Sequence, residues 1–348
     1  MLPSRPSWRG IVPATVVLAL AGMTASAAVA TSPATSPTTA AAAVQSTTSA
    51  RITTTGTQIL FGSVANSVAD LTSVQSKIGK QLNFARVFRN WGQPVINNDF
   101  RAFRDQGTNI LLSVASTDAN GVGLSYRTVA NASPGSAVYD QIVSMGQQLK
   151  GFGKPIFFTY QHEPEVAAQR ILGTGADYVA AWRNVNSIIK AQGANNVKFV
   201  WTLVDWSYVR TDAYAAANYW PGANYVDFIG VDAYNFYNCM SSTGQWGSLA
   251  SRLAGVMRFQ DRYPTKKIVI AEFSSVEDPA VAGRKAQWFD AAAQTLQQPA
   301  YSEIVAAAQW NNPPGADPCA FAFWTSNSAQ QSFIRMADTP YYSAALMP

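Results

Sequence analysis

Short runs rich in β-branched and aromatic residues recur along this chain, each followed by a longer stretch with helical spacing. That alternation limits the fold more than any other feature. The runs are 58–62, 84–88, 109–113, 155–160, 197–202, 228–231, 267–271 and 320–324. Apolar runs of this length, bounded by turn residues, read as strands. Between them, 177–192 places Tyr178, Ala181, Trp182, Val185, Ile188 and Ile189 on one face and stops at Gly193, as an amphipathic helix does. The segments 248–263 and 283–298 have similar spacing. Strand and helix alternating eight times predicts the α/β class and a single (β/α)8 TIM barrel, whose functional side chains sit at the carboxyl ends of the strands.

Two of the runs end on glutamate. PIFFTYQHE closes at Glu163 and KIVIAE closes at Glu272, in a chain with only five glutamates and none before Glu163. An ionisable group at the tip of a buried strand is costly unless it is paired or used. Two such acids, far apart in sequence, can meet only in a closed fold. There they suit cleavage of a glycosidic bond, one protonating the leaving oxygen while the other attacks or activates water. Glu165 is a rival for the acid role, which Pro164 turns away from the site.

His162 is the only histidine. That excludes zinc sites built on two or three histidines and permits a Ser-His-Asp triad only with His162 as base. The chain has neither a Gly-x-Ser-x-Gly elbow nor a phosphate-binding glycine loop. Carboxylate chemistry remains, with no metal or organic cofactor expected. The formal net charge is +5, and basic residues are scattered, so neither nucleic acid nor an anionic membrane is implied as partner. Only 13% of residues are charged while 12% are aromatic, a balance that suits a neutral, ring-shaped ligand.

The ends of the chain differ in character. Arg5 and Arg9 precede a short apolar segment, 11–21, with small-residue cleavage sites following; residues 1–30 read as an export signal. The apolar segment is shorter than the roughly 18 uninterrupted residues of a membrane span. Residues 31–55 are almost wholly Ala, Ser, Thr and Pro and read as a solvated spacer. Residues 56–348 form the expected barrel domain, active outside the cell as a monomer. Cys239 and Cys319 are the only cysteines; in an exported chain they form a disulfide or remain two buried thiols.

The segments around the two acids resemble glycoside hydrolase family 26, a family of clan A retaining glycosidases that contains mainly endo-β-1,4-mannanases, with some β-xylanases and mixed-linkage β-glucanases. His162 directly before Glu163, the segment YWPGANYVDFIGVDAYN (219–235), Glu272, and Phe323-Trp324 carry the resemblance. It implies that Glu163 is the general acid/base and Glu272 the nucleophile. It further implies that His162 holds the sugar or joins the carboxylate network, that Tyr234 hydrogen-bonds the nucleophile, and that Trp324 forms the floor under the sugar. The implied partner is a plant or microbial β-linked polysaccharide, β-1,4-mannan first. Trp91 and Trp206, on strand-following segments, are candidates for outer subsites. Arg86 and Phe88 share one face of their strand and Val87 and Arg89 the other, and either arginine could face the barrel mouth.

Overall fold

The structure is a computed structural model that describes residues 58–239, 244–313, 315 and 319–347; the expected signal and spacer lie outside the described residues. Eight parallel strands close into a barrel in sequence order: β1 (Leu60–Val64), β2 (Phe84–Trp91), β3 (Asn109–Asp118), β4 (Ile156–Tyr160), β5 (Val197–Val204), β6 (Phe228–Asn235), β7 (Lys267–Ser275) and β8 (Ile304–Gln309). Outside them run α1 (Val68–Ile78), α2 (Asn98–Asp105), α3 (Tyr126–Ala130), α4 (Ala137–Gly151), α5 (Gly175–Ala191), α6 (Leu249–Gln260), α7 (Arg284–Leu296) and α8 (Asn327–Asp338). The predicted (β/α)8 barrel is the fold observed.

Helix starts follow from short polar side chains. Ser67, Asn97, Ser136, Ser248 and Ser326 each accept a hydrogen bond from a first-turn amide, filling one of the donors that a helix leaves open. In α5, Thr174 and Asp177 form a reciprocal capping box. The residues predicted for the inner face of α5, Tyr178 through Ile189, are buried there.

Period two in the strands sorts the side chains into two layers. Outward positions pack under the helices in one large core that includes Ile110, Leu112, Ile156 and Phe158. Inward positions at the barrel floor form a second apolar layer of Leu60, Phe84, Leu111, Phe157, Val200, Phe228 and Val269. Burying each of these large side chains contributes about 1.5–3 kcal/mol. Gly62 allows β1 and β2 to close over this floor, because a Cβ there would lie 1.7 Å from the Phe84 carbonyl oxygen. One step nearer the mouth the inward residues turn polar: Arg86, Ser113, Thr159, Thr202 and Asp232, all buried. The floor is a plug, and chemistry is confined to the rim above it.

One strand assignment is corrected. The segment 320–324 is a turn leading into α8, and the eighth strand is Ile304–Gln309. Its sequence, IVAAAQ, carries three consecutive alanines, residues with high helix propensity and few marks of a strand. Burial between β7 and β1 overrides that local preference.

Candidate active site

Inside β7, which runs three residues beyond the predicted tip to Ser275, Glu272 is 4% exposed and fixed at both oxygens. Arg86 Nη2 of β2 donates to Oε1 at 3.4 Å, and the Tyr234 hydroxyl of β6 donates to Oε2 through a short hydrogen bond. Burial pushes the Tyr234 phenol far above its usual range, which keeps it a donor. Burial raises the Glu272 carboxyl above its ordinary value, against the smaller downward pulls of Arg86 and then Tyr234. A register shift between Val231 and Asp232 sets Asp232 directly beside Glu272 on the neighbouring strand. Of the two β2 arginines, Arg86 faces inward and is fully buried; Arg89 lies over the Phe100 ring of α2, on the outside.

The turn after β4 is built differently. Gln161 and Glu163 adopt φ of 44° and 49°, left-handed backbone that non-glycine residues enter at a cost. The surroundings hold them there. Gln161 Oε1 accepts from the Ser116 amide at 2.7 Å, and its Nε2 donates to the His162 carbonyl at 2.9 Å. The Glu163 amide donates to the Thr202 carbonyl at 3.1 Å. His162 is half-buried, with Nδ1 3.2 Å from Ser113 Oγ and its ring 5.3 Å from that of Phe88. Burial, and then the Arg86 charge, lower its pKa to about 3. Its imidazole is therefore neutral at ordinary pH, able to hydrogen-bond but not to act as a cationic acid.

One oxygen each from Glu163, Asp232 and Glu272 lie within 4.8 Å of one another. Such a trio is compact enough for a cation, but the Arg86 guanidinium already sits against it as counter-charge. Burial, followed by the charges of Glu272 and Glu165, raises Glu163 well above the usual carboxyl range. Asp232 is raised for similar reasons, burial first and then Glu272 and Glu163. Asp232 and Glu163 face each other within the trio, and neither Asp232 oxygen has a hydrogen-bond partner among the described residues. Two carboxyls so placed form a hydrogen bond only if one carries the proton. The site thus separates one carboxylate braced by a cation and a phenol from a neighbouring pair whose burial and mutual charge favour the protonated form. That separation is what general-acid and nucleophilic roles require.

Several expected site residues lie elsewhere. Trp324, expected under the sugar, packs edge-on against Phe323 with Lys77 of α1 5.1 Å above its ring, and Phe323 stacks on Phe333 of α8. It belongs to the layer between α1 and α8 because its segment is not the eighth strand. Trp310, which directly follows β8, holds the corresponding rim position and meets Phe88 edge-on at 5.8 Å. Trp91 is also turned outward: it is 6% exposed and its indole N–H donates to Gln141 Oε1 of α4 at 2.6 Å. Trp206 stands at the rim in the turn after β5, half-buried, with Arg210 5.3 Å from its ring. Glu165 points away from the trio, towards β5.

Cys239 and Cys319 form a disulfide, joining the segments after β6 and β8. It packs in an apolar cluster with Tyr234, Phe321 and Trp310, behind the rim. Asp232 and Trp310 were not singled out in the sequence. For Asp232 the signal was available: an acid in line with the apolar run FIGV of β6.

Comparison with known proteins agrees with this architecture. The profile of glycosyl hydrolase family 26 matches residues 125–312, more than half of the chain and inclusive of Glu163, Asp232 and Glu272. A curated relative, Endoglucanase H of Acetivibrio thermocellus, is 26% identical over 269 residues, which cover 75% of this chain but only 28% of that protein. Among solved structures, a GH26 β-mannanase from Bacteroides ovatus superposes with a TM-score of 0.57 at 17% identity, covering 82% of this chain and 89% of that one. A modular endo-β-1,4-mannanase from Cellulomonas fimi gives 0.59 at 17% identity, covering 83% and 73%. At such identities these structures speak for the fold. With the profile match, they place the chain: it belongs to glycosyl hydrolase family 26.

Proposed function

We propose that the chain is an exported, retaining endo-β-glycanase that hydrolyses β-1,4-mannan. The observation that carries this reading is the approach of Glu163 and Glu272 oxygens to within 4.8 Å at the mouth. Retaining pairs sit about 5–5.5 Å apart, whereas inverting pairs leave about 6.5–9.5 Å for an intervening water. In the first step Glu163 gives its proton to the glycosidic oxygen as Glu272 attacks the anomeric carbon, forming a glycosyl ester and releasing the aglycone. In the second, Glu163, now ionised, takes a proton from water as that water displaces Glu272, and the product keeps the β configuration. Arg86 and Tyr234 hold the Glu272 carboxylate ionised and aimed. His162, as a neutral hydrogen-bonding group, and Trp310, as an aromatic wall, border the sugar.

A second polymer, mixed-linkage β-glucan, is favoured by the curated relative, whose name is Endoglucanase H. Reducing ends released from mannan, mixed-linkage glucan and xylan separate the readings, with proton NMR of the first product following the anomer. A β anomer that mutarotates to α supports retention. Release of the α anomer first, or no release from any of the three polymers, contradicts the proposal.

A further inference from the structure

Two residues beyond the acid, the chain buries a second glutamate that the mechanism does not use. Glu165 is fully buried. Its Oε1 accepts from the Val204 amide at the end of β5, at 2.8 Å, and from Ser207 Oγ in the following turn, at 2.7 Å. Its Oε2 is buried without a partner among the described residues. Its own carbonyl accepts from Arg170 Nε at 2.8 Å. The Glu163 amide meanwhile reaches the Thr202 carbonyl of β5. The strained β4 turn is therefore pinned to β5 at two points, one on each side of Pro164.

We propose that Glu165 is a positioning residue for Glu163: it clips the β4 turn to the β5 end and sets a second carboxyl beside the acid. This inference rests on the glycosidase reading. A buried carboxylate with one free oxygen is an expensive clip, since a neutral amide would satisfy both donors at a smaller desolvation cost. A carboxyl, unlike an amide, can also place a charge beside the acid once it ionises. Glu163 is surrounded by Glu272 of β7, Asp232 of β6, Arg86 of β2 and Glu165, and among these Glu165 is a cause of its raised pKa after burial and Glu272. Around Glu165 itself stand Arg170, Ser207 and Glu163, with the phenols of Tyr126 on α3, Tyr178 on α5, and Tyr208 and Tyr219 beyond β5. Burial raises Glu165 to about 7 against the pull of those hydrogen bonds and of Arg170. Above that pH it is ionised and opposes loss of the Glu163 proton.

The test compares Glu165→Ala and Glu165→Gln with wild type on the polymer that wild type cleaves and on the dinitrophenyl β-disaccharide of the same sugar, whose leaving group needs no protonation. Absence of wild-type activity on every polymer would sink the functional reading and this inference with it, whereas with an active wild type the variants decide the inference alone. With active wild type, Glu165→Ala is expected to lose about tenfold or more in kcat/KM on polymer, within the range of general-acid contributions, and much less on the dinitrophenyl substrate. Glu165→Gln, which keeps the shape and both accepted hydrogen bonds, is expected to move the alkaline limb of the kcat/KM profile to lower pH. Equal losses on both substrates, no loss on either, or an alkaline limb left at its wild-type position in Glu165→Gln would overturn the proposal.

Discussion

The two acids occupy opposite kinds of backbone. Glu272 lies inside β7, in extended backbone where the pairing to β6 and β8 shifts register, and its neighbours on β2 and β6 supply a guanidinium and a phenol. Glu163 lies on a left-handed turn beyond the end of β4, where acids surround it and, among the described residues, Arg86 acts on it by charge but no cation donates to it. The same side chain is thereby stabilised as an anion in one place and as an acid in the other. The difference lies in what the adjacent strands bring, since burial raises both. A strand held between two neighbours suits a group that must be aimed and held. A strained turn, pinned by its neighbours, suits a group whose proton must be kept over a leaving oxygen.

Replacing each acid by alanine is the coarsest way to break this contrast. Glu272→Ala should lose about 10⁴-fold or more in kcat on polymer and on activated aryl glycosides alike, as removal of a nucleophile does. Glu163→Ala should lose about 10²–10⁴-fold on polymer and clearly less in kcat/KM on a dinitrophenyl glycoside. Steady-state kinetics on the two substrate types checks both. An equal pattern for the two variants would mean that the environments do not assign the roles.

A finer cut removes only the phenol. Tyr234→Phe takes one donor from Glu272 and should cost about 10–100-fold in kcat/KM, as loss of one hydrogen bond to a buried charge does. The sign of the pH effect follows: Tyr234 lowers the Glu272 carboxyl, so its loss lets that carboxyl rise and moves the acid limb of the profile to higher pH. A pH–rate series would show it.

The smallest expected effect is on stability. In the folded state Glu163 holds its proton above the usual carboxyl value of 4.5, to a pH well above it. Its stabilising contribution is complete below the unfolded value and declines as pH rises through the window up to the folded value. Glu163→Gln removes that penalty, so melting temperature at neutral pH should rise relative to wild type while the two converge near pH 4. Melting curves at both pH values test this.

Much of the architecture was legible because local pattern and tertiary demand agree. The run before each acid is apolar, the acid ends it, and in a barrel the strand ends meet. Agreement fails at β8, where small residues suit packing between two neighbours but erase the strand signal, and that error put the expected sugar floor on Trp324, which lies away from the rim. Period two paired Arg86 with Phe88 correctly, yet a single strand has no inside. Only the closing sheet decides that Arg86 meets Glu272 while Arg89 meets Phe100. Asp232 is visible as an acid at the end of an apolar run, but its place beside Glu272 depends on a register shift between β6 and β7 that neither strand announces alone.

The central claim is that the braced carboxylate on β7 attacks the sugar while the one on the β4 turn delivers the proton. A fluorinated dinitrophenyl glycoside, which forms the glycosyl ester but hydrolyses it slowly, tests this directly when the inactivated protein is digested and its peptides are weighed by mass spectrometry. The account predicts one sugar per chain, attached at Glu272. A label on Glu163 or Asp232, or turnover of natural substrate with no ester ever trapped, would contradict it.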